Sequence, residues 1–256
     1  MPDCPFEIVC EVEPPTRPDL MHVRHQIGVL SKVASAFLIP DNHIGRATVS
    51  SVAVAHEVEQ MGGRSIACLN ARDRNLLGFR RDLLTAAAYG VDQFLFVYGD
   101  RPTSGSRTGQ LTVRSMIEEL RGFSTESGRV FRAGVAAGRG PLPAWKRDAD
   151  FLFAQVRFSI DEMLEWRSQV EFDRPVYAGV MVVPSVAMGR KIGADIQQLA
   201  VPDAWLAAIE RDPSAGVSLA CDLVDGIRES GAFDGVHLIP VSKYREVAAR
   251  LEASTR

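Results

Sequence analysis

Short apolar runs alternate with stretches of helical period along almost the whole chain, and this alternation leaves few folds open. The runs are 6–15, 34–40, 65–70, 92–98, 130–137, 151–157, 176–183 and 235–241. Between them, apolar residues recur at spacings of three and four, which is one helix face. Leu20, Val23, Ile27 and Leu30 mark the first such face, and residues 48–61, closed by Gly62-Gly63, the second. Residues 73–89 form the third, with Leu76, Leu83 and Ala87 inward and Gly90 as C-cap. Further helices are expected at 113–123 and from the capping-box pair Ser159 and Glu162 onward. Others are expected across 185–211, through Val217, Ala220, Cys221, Val224 and Ile227 up to Gly231, and at 244–251. Gly138 to Pro143 leaves little room for a helix between the fifth and sixth runs.

Strands alternating with helices in this way predict a parallel sheet wrapped by helices. The best fit is a closed (β/α)8 barrel, the TIM-barrel architecture, as a single α/β domain over residues 1–256. The competing open doubly wound sheet needs a glycine-rich phosphate turn after its first strand. Glu13-Pro14-Pro15-Thr16 is not such a turn.

In a barrel of this kind, chemistry sits at the C-terminal ends of the strands. That rule points to Glu11, Glu13, Asp41, Asn70, Asp100 and Gln155, and to His237 or Lys243. On the first strand, alternation puts Val9, Glu11 and Glu13 on one face and Ile8, Cys10 and Val12 on the other. Pro14 and Pro15 then end the pairing, because neither has an N–H to donate. An inward acid is costly unless it is paired or used. The loop 101–108 is rich in Gly, Ser and Thr and long for its place, a sign of function.

The chain has 256 residues, is 46% hydrophobic and has a net charge of −3, so it can bury a sizeable core. Its charges are mixed, with no basic block, which argues against nucleic acid or an anionic membrane as the main partner. No run is apolar and long enough to span a bilayer, and the start lacks the pattern of a signal peptide. A cytoplasmic enzyme is expected. Cys4, Cys10, Cys68 and Cys221 show no Cys-x-x-Cys spacing and read as reduced, buried thiols. His22 and His25 lie on one helix without a third ligand nearby, so no metal site is expected.

At its strand ends the sequence resembles the methylenetetrahydrofolate reductase family. Glu11-Val12-Glu13-Pro14-Pro15 is similar to that family's E-x-x-P-P. Pro40-Asp41-Asn42 with Gly45-Arg46 resembles its T-D-N-x-x-G-R turn, and Cys68 to Asn75 resembles H-L-T-C-R-D-R-N. Gly99-Asp100-Arg101-Pro102 resembles G-D-x-P. Ala149-Asp150-Phe151 followed by Ala154-Gln155 resembles A-D-F…T-Q, and Gly235-Val236-His237 resembles G-V-H. The motifs fall in the family's order, each at a strand end. The resemblance implies a (β/α)8 barrel that reduces 5,10-methylenetetrahydrofolate to 5-methyltetrahydrofolate with NADH or NADPH. It implies Glu11 as the acid that protonates the folate, and Asp100 and Gln155 as substrate-binding residues. Glu13 and Asp100 are candidate neighbours that would raise the Glu11 pKa. Asn70, Gly99 and Arg101 are candidates for holding the cofactor. Arg72 to Asn75 reads as a helix start capped by Asp73, and His237 as a packed or hydrogen-bonded strand residue.

The departures from the family pattern cluster on the flavin. Pro40 replaces Thr, Cys68 and Asn70 stand for His and Thr, and Leu111 stands for a Tyr. The family's Y-P-E-x-H-P segment, which covers the FAD, is reduced to Gly138–Pro143. FAD is therefore doubtful, and direct hydride transfer from NADH or NADPH is the expectation. The alternatives are an FAD-bound reductase, a folate-dependent methyl transferase and a non-catalytic folate-binding barrel. Nucleotide preference and oligomeric state are not readable from the sequence.

Overall fold

The structure is a computed structural model that describes residues 5–195 and 199–254, so Cys4 lies outside the described residues. Eight parallel strands close into one barrel in sequence order: β1 (Glu7–Glu11), β2 (Ala36–Ile39), β3 (Ser65–Asn70), β4 (Gln93–Val97), β5 (Arg132–Ala137), β6 (Phe151–Ala154), β7 (Val176–Met181) and β8 (Gly235–Ile239). Closure is made by β1 on β8, where Val9 pairs with His237 and Cys10 with Leu238. The chain is thus a (β/α)8 TIM barrel.

The wrapping helices are α1 (Met21–Leu30), α2 (Ser51–Gln60), α3 (Leu76–Ala88), α4 (Val113–Ser127), α5 (Ile160–Ser168), α6 (Val186–Asp195), α7 (Asp203–Arg211), α8 (Ala215–Ser230) and α9 (Tyr244–Ser254). The predicted helix over 185–211 is two helices. α7 restarts behind Pro202, which lacks the N–H that a continuous helix would need. Between β5 and β6 a single 3-10 turn, Ala144–Asp148, stands where a longer helix would fit.

Parity along each strand sorts the core into two layers. Val9, Leu38, Ile66, Leu95, Phe151, Phe153 and Tyr177 fill the barrel interior. The alternate residues, among them Cys10, Phe37, Leu69, Phe94, Val135 and Val236, pack outward against the helices. Strands buried on both faces read as continuous apolar runs, which is why the sequence shows runs and not alternation. Gly134 makes room inside: a Cβ there would lie 1.9 Å from Cε2 of Phe151.

The two ends of the barrel differ. At the N-terminal end Glu7 takes hydrogen bonds from Tyr177 Oη and Arg64 Nη2, each at 2.5 Å. A cleft of about 480 Å³ beside this pair, lined by Phe6, Ile27, Phe37 and Met61 among others, belongs to the end that serves stability. The C-terminal end is open, and Ala136 of β5 faces inward there and is exposed. No helix among the described residues is long and apolar enough to cross a membrane. Nor do the described residues hold a cluster of three metal-ligating side chains. His22 lies beside Gln26, and His25 beside Arg245.

Candidate functional site

β1 delivers Glu11 to the open mouth. Val9 and Glu11 share the inward face, and Val12 N–H still bonds Leu38 O, so the strand stays pinned to β2 beyond Glu11. Directly across the closure, β8 turns His237 inward. Its Nε2 lies 3.2 Å from Glu11 Oε2, with side chains 11% and 15% exposed. The approach is off-axis, so the buried Nε2 has no hydrogen-bond partner among the described residues. Phe153 packs edge-on against the imidazole at 5.1 Å and fixes its plane.

Glu13 turns to solvent, and Asp100 bonds a neighbouring loop, so neither is the group at ion-pair distance from Glu11. That group is His237, expected from the sequence as a packed or hydrogen-bonded strand residue; it is buried and packed on Phe153, with Glu11 as its neighbour. The signal was present: Val236 and Leu238 are apolar, which sends His237 to the opposite face. Cys68 also faces the interior. Burial first, then Asp41, pushes its thiol far above the usual range, so it stands as a neutral thiol.

The turns after β2, β3 and β4 are tied by a buried ionic network. Asp41 Oδ2 accepts from Asn70 N at 2.9 Å, from Asn70 Nδ2 at 2.6 Å, and from Arg74 Nη1. Arg74 also reaches Asp82 at 2.8 Å. Burial works against the Arg74 charge, but Asp41 and Asp82 together raise its pKa well above the ordinary value. Asn70 is fully buried, and its Oδ1 accepts from Asp73 N at 2.9 Å. Its side-chain oxygen and nitrogen are thus both engaged inside the protein, in a place where it supports the mouth from behind.

The expected cap at Asp73 is corrected. Asn75 caps α3, accepting from Gly78 N at 2.8 Å. Asp73 instead takes a fork of two bonds from Arg72, at 2.6 and 2.5 Å, and one from Asn42 at 3.1 Å. Arg72 is 2% exposed. A buried guanidinium needs a carboxylate more than the helix needs this cap, since Asn75 is free to supply it.

Asp100 lies exposed at the rim. Its Oδ2 accepts from Ile44 N at 3.0 Å, joining the loops after β2 and β4. Gly45 sits in the same junction at φ +68°, where a Cβ would fall 2.0 Å from Arg101 O. Gly99, at φ +97°, packs on Asn70, and a Cβ there would lie 2.9 Å from the Asn70 Cβ. Gly99 and Arg101 thus pack through their backbone on Asn70 and Gly45, within the junction of the loops. The Arg101 side chain is at the exposed surface.

Gln155 follows the last residue of β6 and continues its inward parity. Its backbone N bonds Ala137 O at 2.9 Å, and its own carbonyl accepts from Arg157 Nη1 at 3.1 Å. Its half-buried side-chain amide has no protein partner among the described residues. A carboxyl, an imidazole and an uncommitted amide thus border one open mouth. This set can deliver a proton and pair with the edge of a planar heterocycle.

No family model and no curated protein sequence matches the chain. Among solved structures, an uncharacterised protein from Clostridium thermocellum, which binds two copies of 5-methyl-5,6,7,8-tetrahydrofolic acid, superposes with TM-score 0.67 at 12% identity. That match covers 98% of this chain and 95% of the other. A mutant tryptophan synthase α-subunit from Pyrococcus furiosus matches with TM-score 0.50 at 14% identity, over 86% of this chain and 97% of that one. At these identities the likeness is one of fold.

Proposed function

We propose that this chain binds a reduced folate in the C-terminal mouth of its barrel. There it would reduce 5,10-methylenetetrahydrofolate to 5-methyltetrahydrofolate with NADH or NADPH. The observation that carries the reading is the placement of Glu11: an inward carboxyl at the mouth, 3.2 Å from His237 and fixed by strand pairing on both sides. The sequence motifs at the strand ends and the fold-level likeness to a protein that binds 5-methyltetrahydrofolate support the same ligand class.

In this mechanism Glu11 gives a proton to N10 as the bond between N10 and the bridging methylene breaks. The electron pair of that bond stays on N10, and the methylene becomes an N5 iminium. The nicotinamide substrate supplies hydride to that carbon and leaves as the oxidised nucleotide. Glu11 then regains a proton from solvent, so substrate, NAD(P)H and one proton give 5-methyltetrahydrofolate and NAD(P)+. His237 holds the carboxyl of Glu11 toward the mouth. Gln155 pairs with the pterin edge, and Asp100 meets the folate at the rim.

The wall between β5 and β6 consists of the exposed Gly138, Arg139 and Gly140 and one 3-10 turn. Such a wall gives little of the enclosure that a resident flavin needs, which supports direct hydride transfer. The test is an anaerobic assay of NADH and NADPH oxidation with methylenetetrahydrofolate, together with a visible spectrum of the purified protein. Glu11→Gln should lower kcat by about 10²- to 10⁴-fold, the range for losing a general acid, and should still bind 5-methyltetrahydrofolate. Wild-type turnover in that variant would remove Glu11 from the chemistry. A stoichiometric flavin band whose loss abolishes activity would replace the direct route. Folate binding without nucleotide oxidation would turn the reading toward methyl transfer or simple binding.

A further inference from the structure

Arg157 is 3% exposed, yet among the described residues no carboxylate lies within ion-pair distance of it. Of its five N–H donors, one bond is made, from Nη1 to Gln155 O at 3.1 Å. Its guanidinium lies 5.0 Å over the ring of Trp166. The indole Nε1 of that same Trp166 is itself buried without an acceptor. Arg139, from the loop after β5, adds a second positive charge close enough to act on Arg157. Burial first, and then Arg139, lowers the Arg157 pKa, with Glu162 partly opposing. Glu162, in the first turn of α5, pairs with Arg139 at 3.5 Å with its side chain 54% exposed. The nearby Lys146 is engaged by Ala136 O at 2.5 Å.

Buried charges in folded proteins are paired, because an isolated one is expensive. Here the nearby carboxylate, Glu162, pairs with Arg139 and not with Arg157, which lies two residues beyond Gln155 and beside the end of β5, where Ala137 pairs with Ala154. These donors stand between the loop after β5 and α5, on the side of the barrel where the strands end.

We infer that Arg157 and Arg139 form an anion site that holds the charged end of a ligand whose reactive end lies at Glu11. The chemistry is that of a carboxylate or a phosphate, recognised by a guanidinium fork. Resting on the folate and nucleotide reading, its source is the glutamyl tail of the folate or the pyrophosphate of the dinucleotide.

Calorimetric titration of the whole chain tests this. With inorganic pyrophosphate as probe, R157Q should bind about tenfold more weakly or worse, as expected for losing a charge-assisted fork. R157K should recover only part, having charge without the fork. E162Q, which removes the competing carboxylate, should tighten binding by about two- to fivefold, the scale of an exposed pair. A merely structural Arg157 would give no such tightening. Four organic titrants then separate the sources. If R157Q weakens 5-methyltetrahydrofolate but not 6-methyltetrahydropterin, the anion is the glutamyl tail. If it weakens NADH but not reduced nicotinamide riboside, the anion is the pyrophosphate. No pyrophosphate binding by the wild type, equal binding by R157Q, or no tightening in E162Q each overturns the site. A wild type that binds pyrophosphate but none of the four organic titrants keeps the anion site and rejects the folate and nucleotide reading.

Discussion

Asp41 is the residue whose replacement tests the architecture of the mouth. It is 8% exposed, and its Oδ2 collects Asn70 N at 2.9 Å, Asn70 Nδ2 at 2.6 Å and Arg74 Nη1. In Asp41→Asn the amide oxygen can still take the Oδ2 place, but the charge is gone, and Arg74 faces a neutral acceptor where it had a carboxylate. Removing one partner of a buried pair costs ~3–5 kcal/mol. Arg74 keeps Asp82 at 2.8 Å, which reduces the expected loss to about 2–3 kcal/mol. For a chain of this size each kcal/mol moves Tm by about 2–4 °C, so D41N should melt ~4–12 °C below wild type. The assay is thermal unfolding followed by circular dichroism, repeated in urea for ΔG. The double variant D41N/R74M should regain part of the loss, because it removes the buried guanidinium that D41N leaves with one of its two carboxylates, and Asp82 retains Arg81 at 3.1 Å. A D41N Tm within about 2 °C of wild type, or a double variant no better than the single, would refute the account of Asp41 as the anchor of Arg74.

Three further outcomes follow from the packing. Gly134→Ala puts a Cβ 1.9 Å from Phe151, whose ring is flanked by Phe153 and Tyr177, and should destabilise by ~1–3 kcal/mol in chemical denaturation; a neutral result would mean that the barrel interior has slack. Burial pushes Cys10 up to about 12 and Cys221 up to about 11, and raises Cys68 further, so none of the three should react with a thiol reagent at neutral pH until the protein is denatured. The third concerns Asp73, which Arg72 holds below the usual carboxylate range against the opposing effect of burial, with help from Asn42. A lowered carboxyl contributes stability that is full above its unfolded value of ~3.9 and is lost as pH falls through the folded value. Asp73→Asn should therefore flatten the fall of Tm on acidification below pH ~4; an unchanged acid limb would contradict it.

Much of the fold was legible because barrel strands buried on both faces must be largely apolar, as Ala36–Ile39 and Phe151–Ala154 are throughout. Glu11 was legible too, since a carboxyl at a strand end stands out against such a run. Gln155 came from its place at a strand end and, for its role, from motif resemblance; its amide has no protein partner among the described residues. The charged stretch Arg72 to Asn75 was misread locally. Helix-start chemistry and a buried ion network use the same residue types, and only burial distinguishes them. Arg157 went unread for the same reason: on paper it is one arginine among many.

The sequence by itself determined the order of strands and helices, the inward parity of Glu11, and the absence of room for a helix after β5. Those are local properties, set by side-chain period and by proline and glycine. Tertiary structure alone decided that Glu11 meets His237. The two residues belong to the first and last strands, and they touch because twist and stagger close the sheet on itself. It also decided that Asp41 pairs with Arg74, and that Arg157 is buried with no carboxylate at ion-pair distance among the described residues, because desolvation depends on which elements pack over a charge and not on its neighbours in the chain.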